Sequence, residues 1–232
     1  MKAKILTTLV ATCFASSALA QDLEVKITNL THGIYYTPLL VTAHAPGTAL
    51  FSLGETASEP LQAMAEGGDI SGLSNVLESI NADMVMNPAG GLLAPASSTM
   101  AMLSTSNGNT YLSLVAMMLP TNDGFVGLNS WPIPTEAGTY EVYLNAYDAG
   151  TEANNELVVD GSGAPGMAGI PASPGVTPGS QGLGVTTSEE NNTIHIHRGN
   201  VGDDEQIGGA SDLHNTVHRW LNPVAKLTIT VK

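Results

Sequence analysis

Apolar and polar positions alternate one by one at the start of the chain. Leu23, Val25 and Ile27 face away from Glu24, Lys26 and Thr28, which is the period of a strand with one buried face, and Asn29 begins its exit. A second strand is expected over Tyr36 to His44, with Pro38 near its start, where a missing ladder donor is tolerable. The period then changes. In the stretch Ser58 to Glu66, Ser58 suits an N-cap, Pro60 a first helical turn, and Gly67-Gly68 a stop, so a short helix is predicted. Leu73, Val76, Leu77 and Ile80 are spaced for one helical face and predict a second short helix over Ser71 to Ile80. Strands resume over Ser97 to Leu103 and Thr110 to Leu119, and Asn107-Gly108 between them reads as the turn of a hairpin. The second of these is apolar at nearly every position, as a central strand covered on both faces would be. Phe125 to Leu128 forms a short strand, Gly138 to Tyr147 alternates clearly, and Thr193 to His197 and Ala225 to Val231 complete the set.

These elements predict an all-β chain, an antiparallel β-sandwich with one or two short helices beside it. Hydrophobic residues make up 43% of the chain, enough for one domain with a sizeable core over residues 21–232. Residues from about 160 to 184 are rich in Gly, Pro and Ser and predict a long surface loop that continues no ladder, a place where a partner could bind. No repeat is visible.

Composition changes this picture in two ways. The first twenty residues carry Lys2 and Lys4, then an apolar run, then Ala18-Leu19-Ala20, which reads as a signal peptide cleaved near Ala20 and places the mature protein in the periplasm or outside the cell. No stretch is long enough for a membrane span. Cys13 is the only cysteine and lies in that leader, so disulfides and thiolate metal sites are excluded from the mature chain. Two of the seven basic residues go with the leader, leaving five against 21 acidic and a formal charge of −16. Such a surface repels phosphate backbones and anionic headgroups, which excludes nucleic acid, and it attracts cations.

The acids gather where chemistry could use them. Asp148 and Glu152 stand four residues apart around Ala149-Gly150-Thr151, so a tight loop can turn both carboxylates inward, and Asp123 arrives from another loop at the same end. Calcium takes several carboxylate and carbonyl oxygens in flexible geometry, and these three are the candidate ligands. The plainer alternative is that Asp123 sets an Asn-Asp-Gly turn and Asp148 caps a loop. Histidines form a second constellation. His195 and His197 share a strand face, and with His44 they are the alternative ligands for zinc or copper; His214 and His218 could share a helical face, and the Met84/Met86 and Met100/Met102 pairs would suit Cu(I). A catalytic reading finds no nucleophile elbow, zinc-protease motif or P-loop, and Gly161-x-Gly163-x-x-Gly166 lies in loop composition without the strand and helix a dinucleotide needs. A hydrolase assembled from distant residues stays as a further alternative. Asn29-Leu30-Thr31 and Asn191-Asn192-Thr193 match the glycosylation sequon but are discounted, because the leader and composition look bacterial.

The order of TNDGFVG from Thr121, a loop, and a strand closing in YDAGTEAN resembles the spondin N-terminal domain, found in animal matrix proteins and as a stand-alone bacterial secreted domain. The similarity extends from Asn29 through Leu50 to Ser58 and on to the closing stretch Trp220 to Val231. The resemblance implies a calcium-binding sandwich like that of synaptotagmin, with Asp123, Asp148 and Glu152 as ligands; Glu152 departs from the animal pattern, which has aspartate there. It also implies a non-enzymatic binding or adhesion role toward a protein or glycan at the cell surface or matrix.

Overall fold

The computed structural model describes residues 20–106, 108–164, 166–176, 178–179, 181–186, 188, 191–205 and 207–232. The expected leader, apart from Ala20, and Cys13 lie outside them, as does Asn107 of the expected hairpin turn.

Among these described residues ten strands and two helices follow in chain order: β1 (Asp22–Asn29), β2 (Tyr35–Tyr36), β3 (Leu40–His44), α1 (Glu59–Gly67), α2 (Ser71–Ser79), β4 (Asp83–Met86), β5 (Ser98–Ser104), β6 (Tyr111–Leu119), β7 (Gly124–Pro132), β8 (Gly138–Asp148), β9 (His195–Ile196) and β10 (Ala225–Val231). All pair antiparallel in one sheet of order β4-β3-β6-β7-β8-β10-β1-β5, with β2 on β6 and β9 on β8. The class is the expected all-β, but the strands form one continuous sheet. It rolls until its ends, β4 and β5, lie against each other, giving a nearly closed barrel. Asp83 fastens that seam by accepting Ser106 N–H, the Ser106 hydroxyl and the Asn109 amide from the loop after β5.

The alternation in β1 does what the sequence implies, since Leu23, Val25 and Ile27 are buried in the barrel interior with Leu227, Ile229 and Val231 of β10. β6 is covered on both faces. Leu112, Leu114, Ala116 and Met118 point into the barrel, while Val115, Met117 and Leu119 face a second cluster under the helices, with Leu61, Met64, Leu73 and Leu77. α1 carries the predicted stops and starts: Ser58 Oγ accepts Leu61 N–H at 3.4 Å, and Gly68 ends the helix at φ 71°, where an added Cβ would lie 2.7 Å from Thr37.

Four expectations are corrected. The strand over Tyr36 to His44 is two pieces, broken around Pro38, with β2 pairing β6 near its end. β5 and β6 are not a hairpin; β5 pairs β1 and β6 pairs β3 and β7, because the turn carries the chain across the seam rather than back along a ladder. α2 buries Leu73 and Leu77 but leaves Val76 and Ile80 exposed, so its apolar face is narrower than its spacing suggested. The Gly/Pro-rich tract is not merely surface: Ile170 is buried in the second cluster, and Gly163 O sits where a side chain on Gly67 would be. The sequon at Asn29 is closed to modification, since Asn29 is buried with its amide bonded to Ile34 O and Leu93 O.

Leu114→Ala should therefore lower unfolding free energy by about 2–5 kcal/mol, whereas Val76→Ala should change it by less than about 0.5 kcal/mol. Urea denaturation of the mature chain measures both.

Candidate metal centre

The turn from β6 into β7 and the exit from β8 meet because β7 and β8 pair with Gly124 opposite Asp148. Asp123, just before Gly124, and Asp148, the last residue of β8, thus come to the same end of the barrel. Thr121 shapes the turn, its hydroxyl accepting Gly124 N–H and donating to Met118 O. Ala149 N–H donates back to Asp123 O, closing the two loops on each other. Gly150 follows at φ 69°, with Thr193 N only 2.7 Å from where a Cβ would stand, so no other residue fits.

Both aspartates are buried. Asp123 Oδ2 accepts Thr151 N–H at 2.7 Å, the Thr151 hydroxyl at 3.2 Å and Glu152 N–H at 3.2 Å. Among the described residues its Oδ1 has no hydrogen-bond partner. Desolvation, then the charge of Asp148, push the Asp123 carboxyl up to about 8, against the pull of the three donors. Asp148 accepts Gly150 N–H at 2.8 Å on Oδ1 and the Asn154 amide at 2.6 Å on Oδ2. This arrangement, a turn aspartate with one oxygen unmatched beside a second buried aspartate, suits a hard cation.

Glu152 comes to the same loop but aims elsewhere. Its Oε2 accepts Gly169 N–H at 2.8 Å and the Asn122 amide at 3.3 Å, and burial with the nearby charge of Glu66 raises it to about 7. The structure thus brings Asp123 and Asp148 together and gives Glu152 a bracing position. Among the described residues no group of three or more His, Cys, Asp or Glu side chains is arranged to hold a metal.

The histidines divide. His195 and His197 flank Asp148, their Nε2 atoms 3.7 and 4.0 Å from Oδ2. His197 Nδ1 accepts Gly199 N–H, which leaves its proton on Nε2 and removes the lone pair a metal would need there; burial holds this ring neutral down to about pH 3. His44 is at the far end. It lies opposite Tyr111, which pairs with Pro132, whereas His195 lies opposite Asp148 and Gly124, so the length of β7 separates them, roughly 25 Å. Met100 and Met102 are exposed on β5. For a hydrolase, His44 Nε2 bonds Ser113 Oγ at 2.8 Å, but both are fully buried, and Ser113 Oγ is also held by Ser130 N–H, so no substrate reaches the pair.

Sequence reasoning missed Glu156 and the asparagines. Glu156 is buried at φ 58°; its carboxylate accepts Val201 N–H, Gly202 N–H and the Ser211 hydroxyl, and its own N–H donates to Asn122 Oδ1. An acid in an Asn-rich loop was the available signal, but its partners lie about 50 residues away and cannot be read from the sequence.

The Spondin_N family model matches residues 28–157, a span that includes Asp123, Asp148, Glu152 and Glu156 and stops before His195. No curated protein matches the chain.

A carboxyl whose folded value is raised keeps a proton that the unfolded chain has released, so it loses stability as pH rises through that window; buried His197 and His218 act in the opposite sense, but only below the ordinary histidine value of 6.5. Between pH 6.5 and about 8 the carboxyls act unopposed. The chelated protein should become less stable across that range, by on the order of 1 kcal/mol per pH unit. Chemical denaturation at stepped pH should show the fall, and Asp123→Asn should remove most of it.

Proposed function

The chain belongs to the spondin N-terminal domain family, and we propose that it is an exported, non-enzymatic calcium-binding module acting at the cell surface or matrix. The observation that carries this reading is the buried Asp123 oxygen without a partner beside Asp148. A calcium ion there would satisfy that oxygen and remove the repulsion between the two carboxylates, and its remaining oxygens would come from loop carbonyls and water. Glu152 would contribute mainly by holding the loop, through its N–H on Asp123 and its carboxylate on Gly169.

Several features support export and binding rather than catalysis. Spondin domains are typically extracellular and the family is non-enzymatic. The leader-like start, the cysteine-free remainder and the excess of acid suit an exported chain in a calcium-containing medium. Among the described residues no helix is long and apolar enough to cross a membrane. The ion, on this reading, braces the loops of a binding surface for a protein or glycan partner.

Melting the mature protein after chelation, with calcium, zinc and copper returned separately, tests the proposal. Calcium at about a hundredfold excess over Kd should add about 2.7 kcal/mol, which is about 5–10 °C for a chain of this size. Asp148→Asn should abolish the shift, and Glu152→Gln should reduce it without abolishing it. A melt that calcium leaves unmoved while copper raises it would overturn the carboxylate site.

A further inference from the structure

We infer that the cleft formed by residues 198–201 and 219–221 binds a single oxyanion, a carboxylate, phosphate or sulfate, carried on a molecule that is otherwise uncharged. The chain has only two arginines, Arg198 and Arg219, among 21 acidic residues. Both line one open cleft of about 600 Å³, with Asn200, Val201, Trp220 and Leu221. Among the described residues neither guanidinium has a carboxylate within ion-pair distance, although Lys226 and Lys232 have found Glu141 and Glu24. In so acidic a chain, two arginines that line one cleft without acid partners among the described residues leave donors available to an anion from outside.

A ring pair underlies the cleft. His197 packs its ring on Trp220, centroids 4.9 Å apart, and each arginine adjoins one member of that pair. Arg219 Nε donates to Val201 O, which fixes the guanidinium plane and leaves its terminal nitrogens unbonded. Trp220 is 8% exposed, and its buried indole N–H has no acceptor among the described residues. The nearest acid in sequence, Asp203, is occupied by backbone N–H groups of Glu205, Ala210 and Ser211. Leu221, 85% exposed, and half-exposed Val201 supply an apolar wall, so the ligand carries an apolar portion beside its charge. A polyanion would meet the repulsion of the remaining surface, whereas one oxyanion on a neutral body would not.

The test is tryptophan fluorescence in calcium-containing buffer. Trp131→Phe leaves Trp220 as the sole reporter, and calorimetry on the unaltered chain repeats each titration. Octanoate should bind saturably and octanamide should not. Competition by inorganic phosphate or sulfate would show that a free oxyanion suffices, and octanoate binding without competition would assign the site to a carboxylate with an apolar tail. Arg198→Gln and Arg219→Gln should each weaken octanoate binding by about tenfold or more while keeping the calcium-induced melting shift, which separates this site from the ion centre. Equal affinity for octanamide, no saturable binding of any of the three anions, or unchanged affinity in the double variant would overturn the inference.

Discussion

Two carboxylates withdrawn from water side by side govern one end of this protein. The β7–β8 register places Gly124 opposite Asp148, so Asp123 and Asp148 cannot avoid each other once the strands pair. Burial and mutual repulsion both disfavour charge on Asp123, and the loop answers with donors on Oδ2 while leaving Oδ1 unmatched. A buried carboxylate pair persists by holding a proton or a cation. The surrounding chain is shaped for the pair: Gly150 turns where only glycine fits, and Asn154 and Gly150 take up Asp148.

That register is fixed far from the site. β6 is apolar on both faces, one side filling the barrel and the other seating α1 and α2, so a slip of one residue against β3 or β7 would exchange the two clusters. Phe51 adds a constraint on β7 by lying over Gly127, where any side chain would stand 2.8 Å from its ring. The Asp123 turn is thus positioned by packing on both faces of the sheet, and the polar loop contacts refine a placement already made.

Wherever one period ran unbroken, the sequence was readable. β1, β6, β8 and β10 matched their alternation or their continuous apolar run within a residue or two, and Ser58, Pro60 and Gly68 marked α1 by capping chemistry alone. Asp123 and Asp148 were legible as a pair because each stands at a strand end within two residues of a glycine, Gly124 for the first and Gly150 for the second. The partner of β5 was not, since a turn signal encodes reversal of direction but not which strand lies alongside. The orientation of Glu152 was also hidden. It depends on Gly169, seventeen residues away in a tract whose composition carries no periodicity, and spacing cannot show a backbone N–H arriving from there. The closing resemblance around Trp220 to Val231 falls beyond the matched residues 28–157, yet β10 completes the barrel between β8 and β1.

The loops beyond the matched span are tied to the acidic centre by direct bonds. Asn122, next to Asp123, accepts Glu156 N–H; Glu156 accepts Val201 N–H; and Val201 O accepts Arg219 Nε. On the other side Asp148 lies between His195 and His197, and His197 packs on Trp220. The arginine cleft therefore hangs from the aspartate pair by two routes, one of hydrogen bonds and one of rings. Glu156 is held in a left-handed backbone conformation and spends both oxygens on backbone and hydroxyl donors, so little slack remains along the first route. On the proposed reading, a cation between the aspartates would act on the cleft through this scaffold, by stiffening contacts already in place.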